Sequence, residues 1–83
     1  CWTGTGISIA ANKISGIRAA LCTDAETARG ARVWNHANVL ALSNRLLSQD
    51  VAKEILTAWF EDYDASIGIK GVTELNAMDN NSL

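Results

Sequence analysis

The start of this chain combines a thiol, a glycine-rich turn and the beginning of a helix. Cys1 is followed by Thr3-Gly-Thr-Gly6, and an apolar stretch begins at Ile7. Glycines in a turn let the backbone approach a ligand closely, and the first N–H groups of a helix point outward at the positive end of its dipole. This field would favour the thiolate of Cys1, the form that acts as a base or a nucleophile. The segment therefore predicts a reactive thiol beside a site for an anion.

Length and composition limit the classes of protein that the chain can represent. It has 83 residues, no proline and a first residue other than methionine, so we expect a piece of one small domain whose N-terminal strands are missing. A net charge of −2 without a basic run predicts no nucleic-acid and no membrane partner. Cys1 and Cys22 form neither a disulfide framework nor a zinc motif. No apolar run approaches the roughly 20 residues of a membrane span, and we expect a cytoplasmic protein.

Apolar patterns predict short strands that alternate with helices. The expected elements lie at residues 7–14 (helix), 17–22 (strand), about 24–35 (helix) and 38–43 (strand). The second strand lacks polar alternation, which is typical of a parallel sheet buried on both faces, and the helix between the two strands also favours a parallel arrangement. The chain is therefore predicted to be α/β, with a Rossmann-like three-layer α/β/α fold. Ligands of such sheets bind at the carboxyl ends of the strands, where the Cys1 loop, Thr23-Asp24 and the loop from Ser43 to Arg45 are expected.

Capping signals predict where the helices begin. Thr23 and Glu26 have the spacing of a capping box, in which each side chain satisfies a free N–H at a helix start. Ser48 is the expected cap of a further helix, along which apolar residues between Val51 and Trp59 recur at helical spacing. Residues 1–60 are thus predicted to be the C-terminal part of a single α/β domain. Residues 61–83 are predicted to be a tail with one or two helical turns around residues 72–78 and a frayed end over 79–82.

Three blocks of residues carry a resemblance to a known family. The pattern Cys-Gly-Thr-Gly-x-Gly, followed by Ala-Asn-Lys, is matched by Cys1, Thr3, Gly4, Gly6, Ala11, Asn12 and Lys13. The second block is Gly16-Ile-Arg-Ala-Ala-Leu-Cys22, and the third is Ala37-Asn-Val-Leu-Ala-Leu42. In these blocks the chain resembles the ribose-5-phosphate isomerase B family, which also contains the galactose-6-phosphate isomerase subunits. The resemblance covers roughly the first sixty residues.

The resemblance implies an aldose–ketose isomerase of sugar phosphates that uses no metal and no cofactor. Carried over by position, Cys1 would move a proton between two neighbouring sugar carbons. Thr3 and the backbone N–H groups around Gly4 and Gly6 would hold the enediolate oxygens. The resemblance also implies a homodimer or homotetramer whose active sites lie between two subunits.

The remaining implied site residues include two departures from the family. Asn35 would contact the sugar hydroxyls, and Arg45 would contact the phosphate. The family commonly has a ring-opening His at the position of Trp34 and a Gly at the position of Trp2. The two indoles are expected to be walls of the sugar pocket, with a packing role as the alternative. The substrate is expected to be open-chain or shaped differently from ribose 5-phosphate. The family's C-terminal Arg residues have no clear counterpart in the tail, where Lys70 is the only cation.

Two other functions stay open. Cys1 would be the nucleophile of a hydrolase if it were a true N-terminal residue whose own amine acts as the base. Alternatively, the chain would be a noncatalytic sugar-phosphate-binding protein that kept the scaffold, although retention of both Cys1 and Thr3 disfavours this.

Three further residues are expected to have structural roles. Cys22 is predicted to be a small buried residue, and Trp59 is predicted to be a core or subunit contact. His36 is expected to cap a helix end or to be solvated there.

Overall fold

The computed structural model describes residues 1–79 of the chain. Strands and helices alternate along residues 5–59, as the sequence predicts. The elements are α1 (Thr5–Asn12), β1 (Ala19–Leu21), α2 (Ala25–Asn35), β2 (Val39–Ala41), α3 (Gln49–Trp59) and α4 (Ile69–Ala77). Within the described residues, no helix has both the length and the apolar character that a membrane crossing requires. Most of the predicted frayed end, residues 80–82, lies outside the described residues.

The two strands form a parallel pair. Ala19 lies opposite Val39, and Leu21 lies opposite Ala41. This confirms the predicted α/β class with parallel strands, but each strand has three residues rather than six. A regular ladder includes only residues that exchange bonds with the neighbouring strand. Beyond it, the Cys22 N–H donates to the Ala41 carbonyl at 3.1 Å at one end, and the Asn38 N–H donates to the Arg18 carbonyl at 2.9 Å at the other. The apolar runs therefore marked the strands correctly but overestimated the paired length.

Helices cover both faces of the strand pair. On one face, Ala20 and Leu40 pack against the core formed with α2 and α3, in which Ile55 is fully buried. Successive side chains of a strand point to opposite faces, so Leu21 faces the other way, where it lies against Gly4 at the start of α1. The arrangement is the predicted three-layer α/β/α order, with the strands between α1 and the α2–α3 pair.

The core between β1, α2 and α3 is built largely from small residues. Its buried members are Cys22, Ala28, Ala31, Ala37, Ile55, Ala58 and Trp59. The alanines on α2 allow α3 to lie close, so that Trp59 is only 7% exposed. The structure thus confirms the predictions that Cys22 is buried and that Trp59 belongs to the core.

The cap of α2 differs from the predicted capping box. Asp24, rather than Thr23, is the N-cap residue, and its Oδ1 accepts a hydrogen bond from the Thr27 N–H at 2.7 Å. Glu26 does not complete a box but pairs with Arg29 one turn further along. The extended backbone of Asp24 brings its carboxylate under the first turn of α2. At this position a carboxylate oxygen and a hydroxyl oxygen are equally suitable acceptors for a free N–H. The prediction of Thr23 as the cap is therefore wrong by one residue.

The predicted cap of α3 is confirmed. The Ser48 hydroxyl oxygen accepts a hydrogen bond from the Val51 N–H at 3.2 Å, and α3 begins at the next residue, Gln49.

The segment after α3 is more regular than the sequence predicts. Helix α4 has nine residues and begins at Ile69, three residues before the predicted turns. Its stability comes from tertiary packing, because the buried Val72 faces the rest of the molecule while α4 packs on α2. Gly68 and Gly71, which interrupt the helical pattern in the sequence, lie at the side of α4 that faces α2. The division into residues 1–60 and a tail stays a prediction.

Candidate active site

Cys1 and Trp2 are tied to the chain that follows β2. The backbone N–H of Asn44 donates to the Cys1 carbonyl at 3.1 Å, and the N–H of Arg45 donates to the Trp2 carbonyl at 3.0 Å. The buried Ser43 hydroxyl donates to the same Trp2 carbonyl at 3.2 Å. These bonds hold the first residues at the carboxyl end of β2. Two of the three predicted loops, at Cys1 and at residues 43–45, are therefore in direct contact.

The turn after Trp2 requires a glycine at position 4. Gly4 has a φ of 84°, in the left-handed region that side-chain-bearing residues rarely adopt. A Cβ there would collide with the Leu21 side chain and would lie 3.1 Å from the Leu42 carbonyl group. The backbone of the loop can approach the strand ends only because this residue has no side chain. Helix α1 then starts at Thr5, two residues earlier than predicted, and ends at Asn12 rather than residue 14.

The start of α1 offers several hydrogen-bond donors. The Thr3 hydroxyl oxygen accepts from the Thr5 N–H at 3.4 Å and lies 2.9 Å from the Thr5 hydroxyl oxygen. The N–H groups of Gly6 and Ile7 lie in the first helical turn, where helix geometry provides no intrahelical acceptor. They stand at the positive end of the helix dipole. An oxyanion beside this turn would find a hydroxyl and backbone donors together.

The thiol of Cys1 is accessible, in contrast to that of Cys22. Cys1 is exposed, whereas Cys22 is fully buried. Burial, and secondarily the nearby Asp24 carboxylate, raise the pKa of the Cys22 thiol. An open groove of about 430 Å³ is lined by Cys1, Trp2, Leu42, Asn44 and Leu47. Of the two cysteines, Cys1 is the one that a solvent-borne molecule can reach.

Trp34 and Asn35 lie at the other end of the molecule. Helix α2 runs from Ala25, near the carboxyl end of β1, to Asn35, and its 11 residues rise about 15 Å along the axis. Asn35 lines a second cavity of about 570 Å³, together with Asn12, Lys13, Arg18, Asn76 and Asp79. Trp34 is 57% exposed. Within one chain, the structure brings Cys1, Trp2, Thr3, Gly4, Gly6 and Arg45 to one edge but does not bring Asn35 or Trp34 to them.

Two residues that help to position the loop and α1 were not among the predicted site residues. One is Ser43, whose signal was a hydroxyl at the end of an apolar run. The other is Asn12, whose side chain donates to the Ala19 carbonyl at 3.0 Å and accepts from the Ala19 N–H at 2.7 Å. This pair of bonds fixes the end of α1 against β1. Among residues 1–79, no three His, Cys, Asp or Glu side chains are grouped as metal ligands would be.

Parallel strands alternating with helices, with a glycine turn at their carboxyl edge, define an open-sheet α/β protein, a class whose ligands bind at that edge. The sequence model of the family described as Ribose/Galactose Isomerase matches residues 1–73. The chain belongs to this family, which confirms the resemblance seen in the sequence.

This chain matches only part of the length of each relative. The chain is 49% identical over 61 residues to "D-erythrulose-4-phosphate isomerase" of Pectobacterium atrosepticum, covering 74% of this chain and 40% of that protein. It is 49% identical over 59 residues to "Ribose-5-phosphate isomerase B" of Escherichia coli, covering 71% and 40%. A solved structure of Clostridium thermocellum ribose-5-phosphate isomerase B matches with a TM-score of 0.87 and 42% identity, covering 94% of this chain and 53% of that one. The chain therefore spans about two fifths to one half of these proteins.

Proposed function

We propose that the protein is a sugar-phosphate aldose–ketose isomerase in which Cys1 is the acid/base and a cis-enediolate is the intermediate. The observation that carries the proposal is the exposed Cys1 beside the left-handed turn of Gly4, in a chain of this family. Three hydrogen bonds hold this segment at the carboxyl edge of the strands.

The chemistry needs a base and a set of fixed donors. The Cys1 thiolate takes a proton from the carbon next to the carbonyl, and the electron pair of that C–H bond moves to form the enediolate. Thr3 and the N–H groups around Gly4 and Gly6 donate hydrogen bonds to the enediolate oxygens. In comparable oxyanion sites, each such donor stabilises the transition state by about 3 kcal/mol. The proton on the hydroxyl oxygen passes to the former carbonyl oxygen. The Cys1 thiol then returns its proton to the neighbouring carbon, so no atom is gained or lost.

Arg45 is the proposed phosphate contact. Its backbone is bonded to the Trp2 carbonyl, which places the residue beside the Cys1 loop, and its side chain is exposed. A guanidinium forms two parallel bonds to a phosphate, so a single Arg can both bind and orient the substrate.

The distance between Cys1 and Asn35 supports a site shared by two subunits. Asn35 lies about 15 Å along the axis of α2 from Ala25, the end of the helix that lies near the carboxyl edge of the strands. We infer that Asn35 contacts the sugar held at Cys1 when it comes from a second copy. We therefore propose a homodimer or homotetramer in which Asn35 and Trp34 of one subunit complete the site at Cys1 of another. The accessible thiol of Cys1 suits a reducing, cytoplasmic setting.

The two indoles favour a substrate that needs no ring opening. Trp34 stands where the resemblance places a ring-opening His, and an indole can neither accept nor release the proton that this step requires. A tetrose 4-phosphate is open-chain by its chemistry, because the hydroxyl that would close a five-membered ring carries the phosphate. One relative is named for such a four-carbon compound. We propose tetrose 4-phosphates as the preferred substrates, with Trp2 and Trp34 filling the space that a longer sugar would occupy.

Solvent-proton exchange tests the role of Cys1. In deuterated water, the natural full-length protein should incorporate deuterium at the substrate carbon, and Cys1→Ala should lose at least 100-fold of this exchange. Cys22→Ala, which removes the buried thiol, is the matched control and should keep it. Unchanged exchange in Cys1→Ala would remove Cys1 from the mechanism. Binding of a sugar phosphate without exchange by the wild type would favour the noncatalytic alternative.

A second comparison tests the substrate. Trp34→His should raise turnover of ribose 5-phosphate and should not raise turnover of erythrose 4-phosphate. If turnover of ribose 5-phosphate stays the same, our account of Trp34 is wrong. The hydrolase alternative requires the free amine of Cys1, so an active protein with residues still attached ahead of Cys1 would exclude it; mass spectrometry of the purified protein decides this.

A further inference from the structure

The segment of residues 63–68, here called the latch, lies against the last turn of α2. Gly68 is buried, and its Cα faces the carbonyl groups of Val33 and Trp34. A Cβ at this position would lie 2.6 Å from the Trp34 carbonyl oxygen and 2.7 Å from the Trp34 Cα, closer than such atoms approach in proteins. The latch can occupy its place only because residue 68 has no side chain.

A stacked arginine joins α2 to the latch and to α3. The guanidinium carbon of Arg32 lies 5.0 Å from the centroid of the Tyr63 ring and 5.1 Å from that of the Trp59 ring. Both distances are in the range of cation–π attraction. Arg32 also donates to the Ala37 carbonyl, just beyond the end of α2. The side chain therefore holds the helix end between two aromatic rings and the chain that leads into β2.

The residue that ends α2 also contacts the latch. His36 has a φ of 47° and is the C-cap, which agrees with the expectation that it lies at a helix end. Its Nε2 lies 2.9 Å from the Ala65 carbonyl oxygen, to which an Nε2–H donates, and its ring centroid lies 5.8 Å from that of Tyr63. Asn35 is the residue immediately before this cap. Its backbone is thus fixed on one side by α2 and on the other by a residue bonded to the latch.

We propose that the latch positions Asn35 and Trp34 for the active site of a neighbouring subunit, with Gly68 as the principal positioning residue. The inference rests on the proposed function, in which Asn35 contacts the sugar hydroxyls. The latch touches the backbone of Trp34 and the cap after Asn35, so its conformation sets the direction in which the last turn of α2 presents these side chains. A displacement of about 1 Å in a substrate-positioning group can lower catalytic efficiency up to about 100-fold.

Gly68→Ala tests the proposal, with Gly71→Ala as the matched control. A Cβ at position 71 would lie 3.8 Å from the Trp34 carbonyl oxygen, an ordinary contact distance. In the natural full-length protein, Gly68→Ala should raise KM for the sugar phosphate 10- to 100-fold and change kcat much less, because a contact to sugar hydroxyls binds ground state and transition state alike. Gly71→Ala should leave both constants unchanged. A merely structural defect would lower the active fraction, and hence kcat, without raising KM.

Two further measurements keep the proposal testable if Gly68→Ala folds poorly. His36→Asn retains a residue type that tolerates positive φ but loses the bond to Ala65, and KM should rise about threefold. The backbone amide resonance of Asn35 should shift in Gly68→Ala or His36→Asn and should stay in place in Gly71→Ala.

Unchanged KM in an active Gly68→Ala or His36→Asn protein would overturn the role of the latch and leave the proposed function intact. An Asn35 resonance that does not move in either variant would do the same. A wild-type protein that isomerises no sugar phosphate would instead overturn the proposed function, and the role of the latch with it.

Discussion

Replacement of Gly4 by alanine should separate the strain of the loop from the general effect of adding a methyl group. The left-handed conformation costs a residue with a Cβ about 1–2 kcal/mol, and at position 4 the new atom also meets the Leu21 side chain and the Leu42 carbonyl. Gly6→Ala provides the control, because a Cβ at Gly6 has no atom within 4 Å and the residue is helical. Alanine in a helix is favoured over glycine by up to about 1 kcal/mol. The two variants should therefore differ in free energy of unfolding by about 1–3 kcal/mol, with Gly4→Ala the less stable.

Urea denaturation followed by circular dichroism measures this difference, and the isomerase assay on the same samples measures its functional consequence. Gly4→Ala should lose activity beyond its loss of folded protein, because the loop must move its N–H donors to relieve the collision. Gly6→Ala is a control for stability alone, because the N–H of Gly6 belongs to the proposed oxyanion donors. Equal stability of the two variants would refute the argument that the turn requires a glycine at position 4.

Three other predictions follow from the loop and the caps. Iodoacetamide should alkylate Cys1 well before Cys22, because burial keeps reagent from the second thiol and raises its pKa; equal rates by mass spectrometry would contradict the assignment. Ser43→Ala should lower the free energy of unfolding by about 1 kcal/mol in denaturant titrations, since the Trp2 carbonyl loses a partly buried hydrogen bond. Hydrogen bonds from the first turn of α2 lower the pKa of Asp24. The contribution of the Asp24 carboxylate to the stability of the folded state is therefore complete above the usual aspartate pKa of about 4, and it is lost as the pH falls through the lowered folded-state value. The free energy of unfolding of the wild type, relative to that of Asp24→Asn, should consequently fall as the pH is lowered from 6 to 2.5. A difference that stays constant over this range would argue against the cap.

Local signals predicted most of the elements and the contact between the Cys1 loop and residues 43–45. The glycine turn, the apolar runs and Ser48 are local signals, because each depends only on residues close together in the chain. They predicted the positions of α1, both strands and α3 to within a few residues. The order of the elements then placed the Cys1 loop beside residues 43–45, because parallel strands end at the same edge. The cap of α2 was misassigned to Thr23 because Thr23 and Asp24 are both good caps, and only the backbone conformation selects between them.

The sequence by itself determined the glycine turn of the loop, the class of fold and the family. Each of these depends on residues that are close together in the chain or on the order of apolar and polar residues along it. Tertiary structure alone decided the length of α4, the burial of Ser43 and the separation of Asn35 from Cys1. Helix α4 is stabilised by packing against α2. Its sequence pattern is interrupted by Gly68 and Gly71 and therefore did not predict a helix of this length. The distance from Asn35 to Cys1 is set by the direction of a whole helix, and it becomes visible only when the chain is folded.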